Sequence, residues 1–163
     1  MVNTKKKKIY IDSNIPLEHQ IAFLRQSLIN FQYNVFEVLK EKFGGEGMEV
    51  FKTIMRQRTR QGIDKTKGKS FEEIMNLAGL PDKMLGFQIK QDYTRKDEFQ
   101  YSITFCPYFA ESKKRGMDIE FCNILEEVEI EEVSSNLGKL TEPTRMCHGD
   151  DKCTIRIRNT LGK

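Results

Sequence analysis

Leu17, Ile21, Leu24, Leu28, Phe31, Val35 and Val38 recur at alternating spacings of four and three residues. That period puts all seven side chains on one stripe of a helix and does not suit a strand, whose side chains change face at every residue. Ser13, Asn14 and Pro16 are helix-start residues and Gly44-Gly45 is a stop, so the spacing predicts a helix over 17–43. The stripe spans about three heptads and lacks orderly flanking charge pairs, which reads as the core face of a globular helix. A homodimer through helix 17–43 is the alternative.

A second helix is expected over 46–63, with Met48, Phe51, Ile54, Met55 and Arg58 marking its faces and Gly62 near its end. Its basic tail, Arg56, Arg58 and Arg60, forms a solvated face or receives carboxylates. Ser70-Phe71-Glu72-Glu73 fits a capping box and heads a third helix over 70–78, which Gly79 and Pro81 stop. The period then changes to two. Leu85, Phe87 and Ile89 alternate with polar residues, as do Phe99, Tyr101, Ile103 and Phe105, which predicts a hairpin joined by residues 93–97.

Cys106-Pro107 ends the second strand, and Tyr108 to Arg115 forms a short helix closing at Gly116. Asp118 can cap a helix over 118–134 with Ile119, Cys122, Leu125 and Val128 on one side and mostly glutamates on the other. Strands over 138–147 and 152–158 follow, connected by the turn sequence His148-Gly149-Asp150-Asp151. Helices, hairpin, helices, hairpin make an α+β fold: an antiparallel sheet of about four strands with the N-terminal helices packed on one face. Residues 1–12 are a polar N-terminal lead and 13–163 a single domain, a size that can bury a sufficient core.

The net charge is +3, and Lys5 to Lys8 supply part of it as a solvated run. No basic face with interleaved aromatics on a nucleic-acid module is present, so nucleic acid is not an expected partner. No apolar run approaches the ~18 residues of a membrane span, and no secretory segment is recognisable, so the expectation is a cytoplasmic protein with no membrane partner.

All four cysteines, Cys106, Cys122, Cys147 and Cys153, lie in the last third of the chain. In a reducing compartment they act as thiols, as metal ligands or as small apolar core residues. Their spacings match no zinc ribbon or finger. A strand end, a helix and a hairpin can still bring them to one end of the sheet, around a zinc or other transition-metal ion or around a pocket for a small molecule. His148 is then a candidate nitrogen ligand or proton shuttle, and Asp150 a rim carboxylate able to orient a water or a histidine. The plainer reading of the same residues is a turn.

Gly-Gly-Glu before a helix that ends in an arginine-rich stretch (Gly45 to Gly62), the strand end Tyr101 to Pro107, the isolated Cys122 and the run Gly149 to Ile155 together resemble the L-2-amino-thiazoline-4-carboxylic acid hydrolase family over residues 20–158. More distantly the chain resembles 4-vinyl reductase ligand-binding domains and the transport-particle subunit fold. The recurrent cysteines of the family fall on Cys106, Cys122 and Cys153, and Cys147 is additional. Where many members carry an Asp three residues after the middle cysteine, this chain has Leu125, followed by Glu126 and Glu127.

The resemblance implies ring-opening hydrolysis of a cyclic isothiourea. Water adds to the carbon between nitrogen and sulfur, and the thiolate leaves to give N-carbamoyl-L-cysteine. Two chemistries suit the residues. Cysteines can hold a metal with an open position that activates water, or a low-pKa Cys106 can attack the carbon while His148 or Asp150 handles protons. The competing expectation is a non-catalytic small-molecule or metal-binding sensor module.

Overall fold

The computed structural model describes residues 15–77, 79–116 and 119–160. The polar lead, the Ser13 and Asn14 start signals and the Asp118 cap lie outside them. Helix α1, Leu17–Asp64, is interrupted at Gly44, whose φ of 55° and ψ of −128° are left-handed and open to glycine. The chain reverses there. A Cβ on Gly47 would sit 2.0 Å from the Leu39 carbonyl oxygen, so only glycine lets the second arm lie back against the first. Phe36 and Phe51, far apart along any straight helix, meet edge to face at 5.3 Å. The Gly44-Gly45 stop and the helices on either side of it are therefore as expected.

The face that this hairpin buries is not the expected one. Ile29, Gln32, Tyr33 and Phe36 point inward, whereas Leu17, Ile21, Leu24, Leu28, Phe31 and Val38 are exposed. Residues 29, 33 and 36 also follow a four-and-three spacing, so the first arm carries two stripes. Aromatic contacts with the second arm and with helix α5, Glu120–Asn136, select the stripe that contains a glutamine.

The Ser70/Glu73 capping box closes reciprocally at the head of α2, Phe71–Leu77: the Ser70 amide donates to Glu73 Oε2 (2.8 Å) and the Glu73 amide to Ser70 Oγ (3.3 Å). Helix α2 ends before Gly79 and Pro81 as expected, but these residues also open a new helix. They start α3, Leu80–Leu85, because proline is tolerated in a first turn where no donor is needed, and Leu85 is thereby helical rather than part of a strand.

Strands β1, Gln88–Arg95, and β2, Glu98–Phe105, pair antiparallel through a turn at Lys96-Asp97 that is tighter than the loop expected over 93–97. Helix α4, Pro107–Arg115, has Cys106 as its N-cap and Gly116 as its C-cap, and leads to α5. Strand β3, Lys139–Thr144, stops short of the expected residue 147 because Met146–His148 coil into a 3-10 turn before β4, Cys153–Arg158. The sheet order is β1-β2-β4-β3, antiparallel throughout.

Helices cover one face of this sheet, and the fold is α+β. Its inward face carries Phe99, Tyr101, Ile103, Ile155 and Ile157 against Met75, Val133 and Leu140. A second core joins α1, α4 and α5 around Phe121, and Cys106 and Phe87 pack against both. The outer sheet face is polar: Ser102 Oγ donates to Asp92 (2.7 Å) and Arg158 to Glu98 (2.9 Å). No helix among the described residues is long and apolar enough to cross a membrane.

Candidate functional site

Burial along α5 departs from the expectation that Ile119, Cys122, Leu125 and Val128 face inward. Phe121, Ile124, Val128, Glu132 and Val133 are buried, Cys122 and Leu125 are half-buried and Ile119 is exposed. The glutamates divide. Glu127 and Glu131 reach out to Lys52 and Arg56 of α1, both at 2.9 Å, and Glu132 receives the Arg60 guanidinium as a fork at 2.7 and 2.8 Å. The basic tail of α1 thus does receive carboxylates. Glu126 and Glu129 turn toward the interior beside Cys122, since residues 122, 126 and 129 share one helical edge.

Cys106 packs against both cores and Cys153 against the sheet core, and all four cysteines are half-buried. Cys106 Sγ accepts from the Phe109 amide at 3.4 Å, and Cys153, opposite Ile103 in the sheet, accepts from the Met146 amide at 3.3 Å. Cys147 lies in the 3-10 turn. The thiols are within electrostatic reach of one another: Cys106, Cys147 and Cys153 all add to the suppression of Cys122 ionisation, behind the larger effect of burial. Burial likewise pushes Cys106 up to about 12 and Cys153 up to about 11, and raises Cys147. All four are neutral thiols at pH 7.

A metal centre is not preformed. Among the described residues no group of three or more histidine, cysteine, aspartate or glutamate side chains is placed to hold an ion. No step below passes through the metal that the resemblance implies.

His148 and Asp150 stand at the surface. His148 Nε2 pairs with Asn123 Oδ1 of α5 at 3.1 Å. Asp150 closes its own loop: its Oδ2 accepts from the Arg145 amide at 2.7 Å, and its amide donates to the Arg145 carbonyl at 3.2 Å. One carboxylate oxygen of Asp150 is thus committed to the turn.

The carboxylates lining the thiol group form the more unusual constellation. Glu142 of β3 is pushed up to about 10, first by burial and then by its hydrogen bond with Glu126. Glu126 is in ion-pair contact with Arg145, which also lies 3.7 Å from Glu142. The Glu142 carboxyl is therefore held in its protonated form beside the Glu126–Arg145 contact. Glu129 is raised to about 7, by burial and then by Asp82, against the opposing pull of Arg58. Burial raises Asp82 as well.

Glu126 and Arg145 line an open depression of about 290 Å³ together with Asn123, Glu127, Ile130 and Glu131. The His148 contact to Asn123 stands at its edge. Glu129, Glu142, Arg145 and Asp82 were not singled out from the sequence, Glu126 was named without a role, and Arg58 was named only on a helix face and in the basic tail. The readable signal was the spacing of Cys122, Glu126, Glu129 and Val133, which puts two acids in line with a cysteine and a core valine. No family model and no curated protein matches the chain.

Proposed function

We propose that the protein hydrolyses a small cyclic isothiourea-type substrate by water addition, with Glu126 and Glu142 rather than a cysteine supplying the proton chemistry. The observation that carries this reading is Glu126, which lines the open depression and contacts Arg145, backed by Glu142, whose carboxyl is held in its protonated form by burial and by its hydrogen bond with Glu126. A carboxyl kept protonated beside a second, arginine-paired carboxyl can supply the acid of an acid–base couple. Glu126 takes a proton from the attacking water, the oxygen becomes the ureido carbonyl, and the carbon–sulfur bond breaks. Glu142 delivers a proton to the leaving sulfur, the second proton of the water passes to the ring nitrogen, and the proton taken up by Glu126 returns to Glu142. Arg145, a cation in the wall, suits the carboxylate of a thiazoline-4-carboxylate, and the volume suits a ligand of that size.

Attack by Cys106 is the weaker route. With its thiol near 12, the thiolate fraction at pH 7 is on the order of one in 10⁵. The test is incubation with L-2-amino-thiazoline-4-carboxylate at pH 7, following N-carbamoylcysteine by mass spectrometry. Wild-type turnover is expected, Glu142→Gln should lose about 10²-fold or more, and Cys106→Ala should stay within roughly tenfold. A wild-type protein that leaves the ring intact sinks the hydrolase reading.

A sensor module is the second reading. It is favoured by the ionic pairing of the depression's own acids, Glu127 with Lys52, Glu131 with Arg56 and Glu126 with Arg145, which leaves a wall already neutralised. Calorimetric binding of the ring compound without turnover would support it.

A further inference from the structure

Among the described residues nothing covers the exposed stripe on the first arm of α1, and the second arm continues it. Lys52, Arg56 and Arg60 mark the side of the second arm that faces α5. Val50 and Ile54 lie on the opposite side, both exposed. The arms run antiparallel, with Leu39 against Gly47 and Phe36 against Phe51, which sets Val50 and Ile54 beside the Phe31 and Val35 stretch. The helical hairpin therefore has two apolar faces, one on α5 and one on solvent.

Exposure on the outer face is high: Leu17 67%, Leu24 65%, Phe31 65%, Val38 53%, Val50 49% and Ile54 41%. At on the order of 150–200 Å² per side chain, this leaves roughly 600 Å² of apolar surface, at the top of the range for the largest patch on a monomer and approaching the ~800 Å² that each partner buries in a stable complex. Gln20, Ser27, Gln57 and Gln61 lie beside the stripe on one side and Glu18 and Arg25 on the other, and further charge gathers at the hairpin's end in Lys40, Glu41, Lys42 and Glu46. Depletion of charge at the centre with a charged rim is the composition of a protein interface.

The four-and-three spacing selects the occupant. It seats knobs into the holes of another helix running nearly along it, and each copy supplies such a helix. Two identical faces meeting about a two-fold axis satisfy each other completely and close the assembly. We infer that the chain forms a symmetric dimer in which the outer faces of the two α1 hairpins pack as a four-helix layer. The site on α5 lies on the opposite side of each hairpin, so the inference stands apart from the proposed reaction.

Sedimentation equilibrium of the full chain at micromolar concentration should give twice the 19.1 kDa of one copy. The double variant Leu24→Glu, Phe31→Glu, changed only where a single chain is exposed, should sediment as one copy with unchanged far-ultraviolet circular dichroism. Lys90→Glu, on the distant strand β1, should remain a dimer. Independently of any variant, the wild-type thermal midpoint should rise with protein concentration. A wild-type protein that sediments at 19.1 kDa with a concentration-independent midpoint overturns the inference, whether the face is then covered by a lipid surface, by another protein or by residues 1–14.

Discussion

Along one edge of α5, Phe121, Ile124 and Val128 enter the helical core; along the next edge, at spacings of four, three and four, lie Cys122, Glu126, Glu129 and Val133. Phe121 stacks on Tyr33 with ring centroids 4.0 Å apart and meets Phe36 edge to face at 5.3 Å. Its neighbours are satisfied as well: Tyr33 donates to the Tyr108 carbonyl at 2.8 Å and Tyr108 to Gln32 Oε1 at 2.5 Å. The second edge is partly enclosed, and it carries ionisable groups, Cys122 and Glu129, that burial holds away from their ordinary charge state. Burial thus does opposite things on one helix. It stabilises the aromatic edge, and it turns the acidic edge into a proton reservoir whose stability depends on pH.

Phe121→Ala should produce the largest effect, because it removes a ring touching four aromatic neighbours: Tyr33, Phe36, Phe51 and Tyr108. The expected loss is about 4 kcal/mol, from transfer and cavity together. Urea denaturation at pH 5 and pH 8 should give the same loss at both, since no charge is removed. A loss that changes strongly between the two would erase the distinction between the edges.

What was legible from the sequence follows the same division. Periodicity located the α1 break at Gly44, the capping box at Ser70, the β1–β2 hairpin and the α4 boundaries, because each of these is set by local geometry. It failed where a segment offers two equivalent solutions. The first arm of α1 has two apolar stripes, and only contact with Phe51 and Phe121 decides which is covered. The α5 glutamates resemble a solvated face until β3 and α3 bring Glu142 and Asp82 opposite them. Cysteine content drew attention to the right region, whereas the charge states that give it chemistry arise from tertiary burial. The Leu80–Leu85 helix was hidden by a proline read as a stop rather than as a first-turn residue.

Glu129→Gln should have the intermediate effect, with opposite sign. The Glu129 carboxyl titrates at about 7 when folded, from an ordinary value of 4.5, with Asp82, Arg58 and Glu126 around it. Between those values the folded protein holds a proton that the unfolded chain has released. Its contribution to stability is therefore complete below about pH 4.5 and is lost as pH rises through 7. Glutamine imitates the protonated side chain at every pH. The variant should match wild type at pH 4.5 and exceed it by about 3 kcal/mol at pH 8. Stability curves that stay parallel across this range would place Glu129 in water and remove the acidic edge from the comparison.

Cys122→Ala is the finest division between the edges, since Cys122 opens the acidic edge one residue from Phe121. Its thiol is neutral throughout the physiological range, because burial and the three neighbouring cysteines all oppose the thiolate. Replacing it removes one sulfur atom from a half-buried position and should cost about 1 kcal/mol, without altering the pH dependence carried by Glu129 and Glu142. Under the carboxylate chemistry, the variant should also keep its turnover of the thiazoline within a few-fold. A variant that folds with this small loss but stops turning over would move the chemistry onto the thiols. It would then be the cysteine group, rather than the glutamates behind it, that distinguishes the second edge of α5 from the first.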